Sequence, residues 1–129
     1  MREILKRFIS ISDSATKAPR ENYYHGFLNG LFSNCSNGYF GEYHSNCEAE
    51  DGYADISFTD AYSEKAVIIE IKHTTSVSKL IDLSDEAVGQ ITKKNYAESF
   101  MENKFVQSIY AYGIAFSGKN CYITCNKMK

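Results

Sequence analysis

Two short apolar stretches, Tyr53-Ala54-Asp55-Ile56-Ser57-Phe58 and Ala66-Val67-Ile68-Ile69-Glu70-Ile71-Lys72, constrain this chain more than any other feature. Both are rich in Ile, Val and Phe, neither contains proline, and the polar segment Asp60 to Lys65 separates them. They read as the two strands of a hairpin. The second strand is unusual in carrying Glu70 and Lys72 two positions apart. Residues i and i+2 of a strand share a face, so Glu70 and Lys72 point one way while Val67, Ile69 and Ile71 point the other.

With Asp60 placed opposite Lys65, Ile56 meets Ile69, Phe58 meets Val67 and Ala54 meets Ile71, which makes one continuous apolar face. On the other face Asp55 falls opposite Glu70, with Cβ atoms roughly 4.5–5.5 Å apart. A slip of one residue would turn Asp55 to the apolar side, and burial selects against it. A slip of two makes Asp55 a diagonal neighbour of Glu70. In either register two acids and an amine converge. Facing carboxylates repel, and each resists ionisation unless positive charge stands between them. Lys72 supplies one charge. A hard divalent cation supplies more, since carboxylate oxygens, a backbone carbonyl and waters suit Mg²⁺. The alternative is a solvated hairpin face whose lysine–acid pair carries little energy.

Asp, a spacer and Glu-x-Lys on the next strand resemble the PD-(D/E)xK nuclease superfamily, with its restriction-endonuclease-like fold. More narrowly, four segments are similar to the nuclease-like domain that follows AAA-ATPase-like domains in prokaryotic proteins. They are Glu21-Asn22-Tyr23-Tyr24-His25-Gly26-Phe27-Leu28, Asp51-Gly52-Tyr53-Ala54-Asp55-Ile56, Ile68-Ile69-Glu70-Ile71-Lys72, and Gln90-Ile91 followed by Lys94 and Tyr96. Tyr112-Gly113-Ile114-Ala115-Phe116 fits as a fifth, so the likeness runs from about Glu21 to about Tyr122. Tyr53 departs from it, because such domains usually carry a basic residue there.

The resemblance implies an α/β sandwich with a mixed central sheet flanked by helices, and a Mg²⁺-dependent nuclease in which Mn²⁺ can substitute. It implies Asp55 and Glu70 as metal ligands, helped by the Ile71 backbone carbonyl, with Lys72 orienting water or stabilising charge on the phosphate. Gln90 is similar to the glutamine of RecB-type nucleases that lies next to the active site. Glu21, on the first helix, is a further candidate ligand; its alternative is a helix-start glutamate favoured by the macrodipole. Lys93 and Lys94 form the most basic spot for a phosphate, or else ordinary helix-surface charge. The implied substrate is DNA before RNA, and the implied partner an AAA-ATPase-like domain. The rival reading is a non-catalytic nucleic-acid-binding or docking module for such an ATPase.

At 129 residues the length fits one domain. We divide it into a helix and connector over 1–20 and a nuclease-like domain over 21–129. A formal charge of −2 speaks against tight autonomous binding of nucleic acid, whose affinity comes largely from phosphate neutralisation. The metal site needs acids and is untouched by that objection. No apolar run is long enough to span a membrane. Met1 to Phe8 lacks a signal peptide's apolar core, so the expected location is cytoplasmic. Cys35, Cys47, Cys121 and Cys125 show no Cys-x-x-Cys spacing, which argues against zinc and for reduced, buried thiols.

The spacing of apolar residues predicts helices over 2–9, 21–32 and 78–102, with Leu83, Ala87 and Ile91 stepping along the last. Strands are expected over 39–44, 106–116 and 121–124, the last two joined by a Ser117-Gly118-Lys119-Asn120 turn. Tyr96 covers the site or packs. His25, His44 and His73 take structural readings, and Glu50 or Asp51 is a candidate for a second metal.

Overall fold

Alternating Ile, Val and Phe around the Asp60 turn pair in the register that their two-residue period demands. The structure, a computed structural model, describes residues 20–33, 40–46 and 54–129. The helix expected over 2–9, most of the connector after it, the acidic loop with Glu48, Glu50 and Asp51, and Cys35 and Cys47 lie outside those residues.

The elements are α1 (Arg20–Ser33), β1 (Phe40–Ser45), β2 (Ile56–Asp60), β3 (Lys65–His73), a 3-10 turn (Val77–Lys79), α2 (Leu80–Lys93), α3 (Glu98–Glu102), β4 (Ser108–Ser117) and β5 (Asn120–Lys127). The five strands form one sheet in the order β1-β2-β3-β4-β5. β1, β2 and β3 run as an antiparallel meander, β3 and β4 are parallel, and β5 returns antiparallel to β4. The parallel pair requires a crossover, which α2 and α3 supply.

In the β2–β3 ladder Ile56 faces Ile69 and Phe58 faces Val67, as the alternation predicts. The turn between them is fixed by Asp60, whose Oδ1 accepts the backbone N–H of Glu64 (2.8 Å) and of Lys65 (3.2 Å). Ser63 takes a positive φ of 57° to close it. At the far hairpin Gly118 supplies the positive φ, 58°, that a two-residue β-turn with glycine first requires.

The sheet has a helix on each face. Under α1 lie Ile56, Ile69, Ile71, Ile114 and Phe116 with Tyr24 and Leu28 of the helix. Tyr24 stacks on Phe116 with ring centroids 4.3 Å apart and on His73 at 5.8 Å. Under α2 lie Ala66, Ile68, Ile109 and Ala111, closed by Ile91, Ala97 and Val106.

Four expectations need correction. Ala54 joins the α2-side cluster and not the apolar face of Ile56 and Ile71. The Ile71 N–H there is taken by the Asp55 side chain, so the regular ladder stops at Ile56–Ile69 and the chain turns before it. The face carrying Glu70 is no open polar surface either: Ala66 and Ile68 on it are fully buried beneath α2. β3 is a central strand covered on both sides.

The helix expected over 78–102 is broken. α2 stops at Lys93, Asn95 adopts φ 59°, and a separate α3 follows. The Tyr96 N–H reaches back to the Ile91 carbonyl (3.1 Å) and the Asn95 N–H to that of Thr92 (3.2 Å). This is a Schellman cap with asparagine in the left-handed position. Finally, Cys121 is half-buried and Cys125 exposed, neither in a disulfide. β5 is an edge strand whose residues are all exposed or half-buried, so the thiols are not enclosed.

Candidate active site

Asp55 stands at the bend that opens β2, where its main-chain carbonyl still accepts the Asn46 N–H (2.9 Å). Its Oδ2 accepts the backbone N–H of Ile71 at 2.7 Å. A side chain thus continues the pairing where the backbone leaves it, and ties the start of β2 to the residue between Glu70 and Lys72.

Glu70 lies on the α2 side of β3 and is only 6% exposed. The Gln90 Nε2 of α2 donates to its Oε1 at 2.9 Å, while its Oε2 is buried with no hydrogen-bond partner. Burial, followed by the nearby Asp55 charge, pushes the Glu70 carboxyl up from an ordinary 4.5 to about 8. A hydrogen bond from the Asp55 backbone and the charges of Lys72 and Lys94 pull the other way and fall short. Around neutral pH Glu70 therefore keeps a proton in the absence of a cation.

Asp55, Glu70, Lys72, Gln90 and Lys94 come together at one end of the sheet. Lys72 shares the Glu70 face by strand alternation and is half-buried. Lys94, four residues beyond Gln90, is the C-cap of α2, where the carbonyl end of the helix favours a cation. Lys93 is exposed on the last turn.

One glycine makes the Glu70–Gln90 contact possible. Gly113 of β4 is the direct neighbour of Glu70 in the β3–β4 ladder. A Cβ there would run into the backbone carbonyl of Ser84, and would lie 2.8 Å from the Val88 nitrogen and 2.9 Å from the Ala87 Cβ. With no side chain at 113, α2 settles directly onto the sheet beside Glu70. The sequence signals it only as a glycine inside a strand of aromatic and branched residues, which marks close backbone approach.

Other candidates fall elsewhere. Glu21 is in the first turn of α1, and its side chain lies outside the described residues. His25 is buried, sharing a 2.7 Å hydrogen bond between Nε2 and the Ser45 Oγ. His73 stacks on Tyr24. His44 is exposed on β1. Among the described residues no group of three or more His, Cys, Asp and Glu side chains could hold a metal, so among them the acids facing an ion here are Asp55 and Glu70.

Asp55 and Glu70 fit a hard cation. A buried carboxylate oxygen without a donor is costly unless a proton or a positive ion meets it. Oxygen donors on two acids are the chemistry that Mg²⁺ and Mn²⁺ take.

A family model described as the PD-(D/E)XK nuclease superfamily matches residues 19–125. No curated protein and no solved structure matches the chain.

Proposed function

The chain belongs to the PD-(D/E)XK nuclease superfamily, and on that premise we propose that it hydrolyses phosphodiester bonds with Mg²⁺, Mn²⁺ substituting, in DNA before RNA. The observation that carries this reading is the Glu70 Oε2, buried without a partner beside Asp55 and within the field of two lysines.

Asp55 and Glu70 would hold the ion, with the Ile71 backbone carbonyl as a third protein donor. When bound, it polarises the phosphate and makes a coordinated water more acidic. Gln90 fixes the Glu70 Oε1, which leaves Oε2 as the ligating atom, and this orienting role is that of an outer-shell residue. The Lys72 ammonium stabilises the charge that builds on the phosphate oxygens or holds the attacking water. Lys94 and Lys93 meet neighbouring phosphates. Glu21 is a further acid available to the ion. The Glu70 proton must leave when a cation enters, so affinity for Mn²⁺ rises with pH until the carboxyl is ionised near pH 8. An AAA-ATPase-like partner and a cytoplasmic setting accompany this proposal.

The test is cleavage of single-stranded, duplex and branched DNA with Mg²⁺ or Mn²⁺, run beside Asp55→Ala and Lys72→Ala. Each variant is expected to lose on the order of 10²–10³-fold in rate. Full activity in both would trace the cleavage to a contaminant. A net charge of −2 favours the rival docking module. If wild type binds Mn²⁺, loses the binding in Asp55→Ala and cuts nothing, the metal site stands and phosphodiester hydrolysis of these substrates does not.

A further inference from the structure

Beside the acidic pair, the β1–β2 half of the α2-side face is not closed by α2. The turn at Asn95 and the short α3 stand over it instead, and a cleft of about 590 Å³ lies between. That volume is within the range of sites that enclose a ring-bearing ligand. Ala54 and Ser57 line its floor on either side of the Asp55–Ile56 step, so the cleft adjoins the site itself. Tyr96 and Phe100 line the helical side, and His44 the strand side.

Its charge narrows the occupant. Glu42 and Glu98 line the cleft, and among its described lining residues there is no lysine or arginine. A phosphate would meet carboxylates there and is disfavoured. A flat, neutral ring is not: it can lie against Tyr96 and Phe100 while its amino and imino groups donate to the two carboxylates. Nucleobases have this chemistry, and aromatic side chains are the usual platform for unpaired ones. Carboxylates accept from exocyclic amines such as that of cytosine.

We infer that this cleft receives an unpaired nucleobase of the strand whose phosphate lies at Asp55, Glu70 and Lys72. The inference rests on the nuclease reading of those residues and adds a substrate class to it. In an intact duplex the base is stacked and paired, and extracting it is costly. The preferred substrate is therefore single-stranded or frayed nucleic acid with a free base next to the scissile bond.

The probe is a labelled single-stranded DNA 12-mer, either with a central cytosine or abasic at that position, titrated with full-length protein in Ca²⁺. A duplex of the same sequence forms the third arm. Wild type should bind the intact strand at least about fivefold tighter than the abasic strand, and tighter than the duplex. Two variants check the location. Phe100→Ala removes a ring, and Ser99→Trp fills the cleft from an exposed position on α3. In both, the intact-to-abasic ratio should fall to about one. If Phe100→Ala does not fold, Ser99→Trp alone decides. A ratio near one in wild type, or a ratio that Ser99→Trp leaves unchanged, overturns the inference. Mg²⁺-dependent cleavage, assayed separately, keeps the two readings apart. Cleavage without base-dependent binding removes the cleft assignment alone. Base-dependent binding without cleavage removes the nuclease reading alone.

Discussion

The layers on the two sides of the sheet are built from similar parts and finished differently. Beneath α1, the Tyr24 hydroxyl donates to the Gly118 carbonyl at 2.5 Å, and His25 bonds Ser45. Beneath α2, Ser84 shares a 2.7 Å bond with Thr124, yet the carboxyl of Glu70 is left with one oxygen unmet. Among the described residues, the Glu70 Oε2 is the buried side-chain oxygen without a hydrogen-bond partner, and it lies on the α2 side.

The sharpest way to expose that difference is pH. The raised carboxyl of Glu70 means that the folded state binds its proton more tightly than the unfolded chain does. Its stabilising contribution is full below about pH 4.5 and is lost as pH rises towards 8. Glu70→Gln cannot lose it. The stability gap between wild type and Glu70→Gln, both metal-free, should shift by on the order of 4 kcal/mol in the variant's favour between pH 4 and pH 9. Urea titrations at the two pH values measure it, and a constant gap would mean that Glu70 is solvated and normal. Saturating Mn²⁺ should restore the wild type at high pH and leave the variant unchanged.

Gly113→Val breaks the α2 side mechanically. Its Cβ meets helix backbone that cannot swing aside, so the variant should lose about 3 kcal/mol, read as a lower urea midpoint. An unchanged midpoint would show that α2 rides higher over the sheet than described.

A paired comparison is smaller. Gln90→Leu should weaken Mn²⁺ binding about 10–100-fold and also cost about 1–3 kcal/mol of stability, because it leaves the buried Glu70 Oε1 without its donor. His25→Leu should cost about 1 kcal/mol of stability and leave Mn²⁺ affinity intact. Calorimetric titration beside denaturation separates the two. Asn95→Ala is the mildest: a left-handed alanine costs about 1 kcal/mol, and Asn95→Gly should recover it.

The hairpin was legible in the sequence because a two-residue period leaves one register in which Ile56, Phe58, Val67 and Ile69 share a side; the Asp55 side chain on the Ile71 N–H, beyond the end of that ladder, was not. Gln90 was legible only through resemblance, since its contact depends on how far α2 sinks onto the sheet. The burial of Glu70 was not legible, because the residues that cover its face lie in a helix well beyond the hairpin. The end of α2 had a local signal in Asn95 after two lysines. A continuing run of helix-forming residues outweighed it.

Because β3 pairs in parallel with β4, the acids cannot be brought into their final surroundings until β4 exists. A chain interrupted near residue 104 would already contain Asp55, Glu70, Lys72 and Gln90, yet lack the strand on which α2 comes to rest. As residues emerge in order from the ribosome, the carboxylates would stay dispersed and hydrated up to that point, and the dry surroundings of Glu70 would assemble only once β4 has followed.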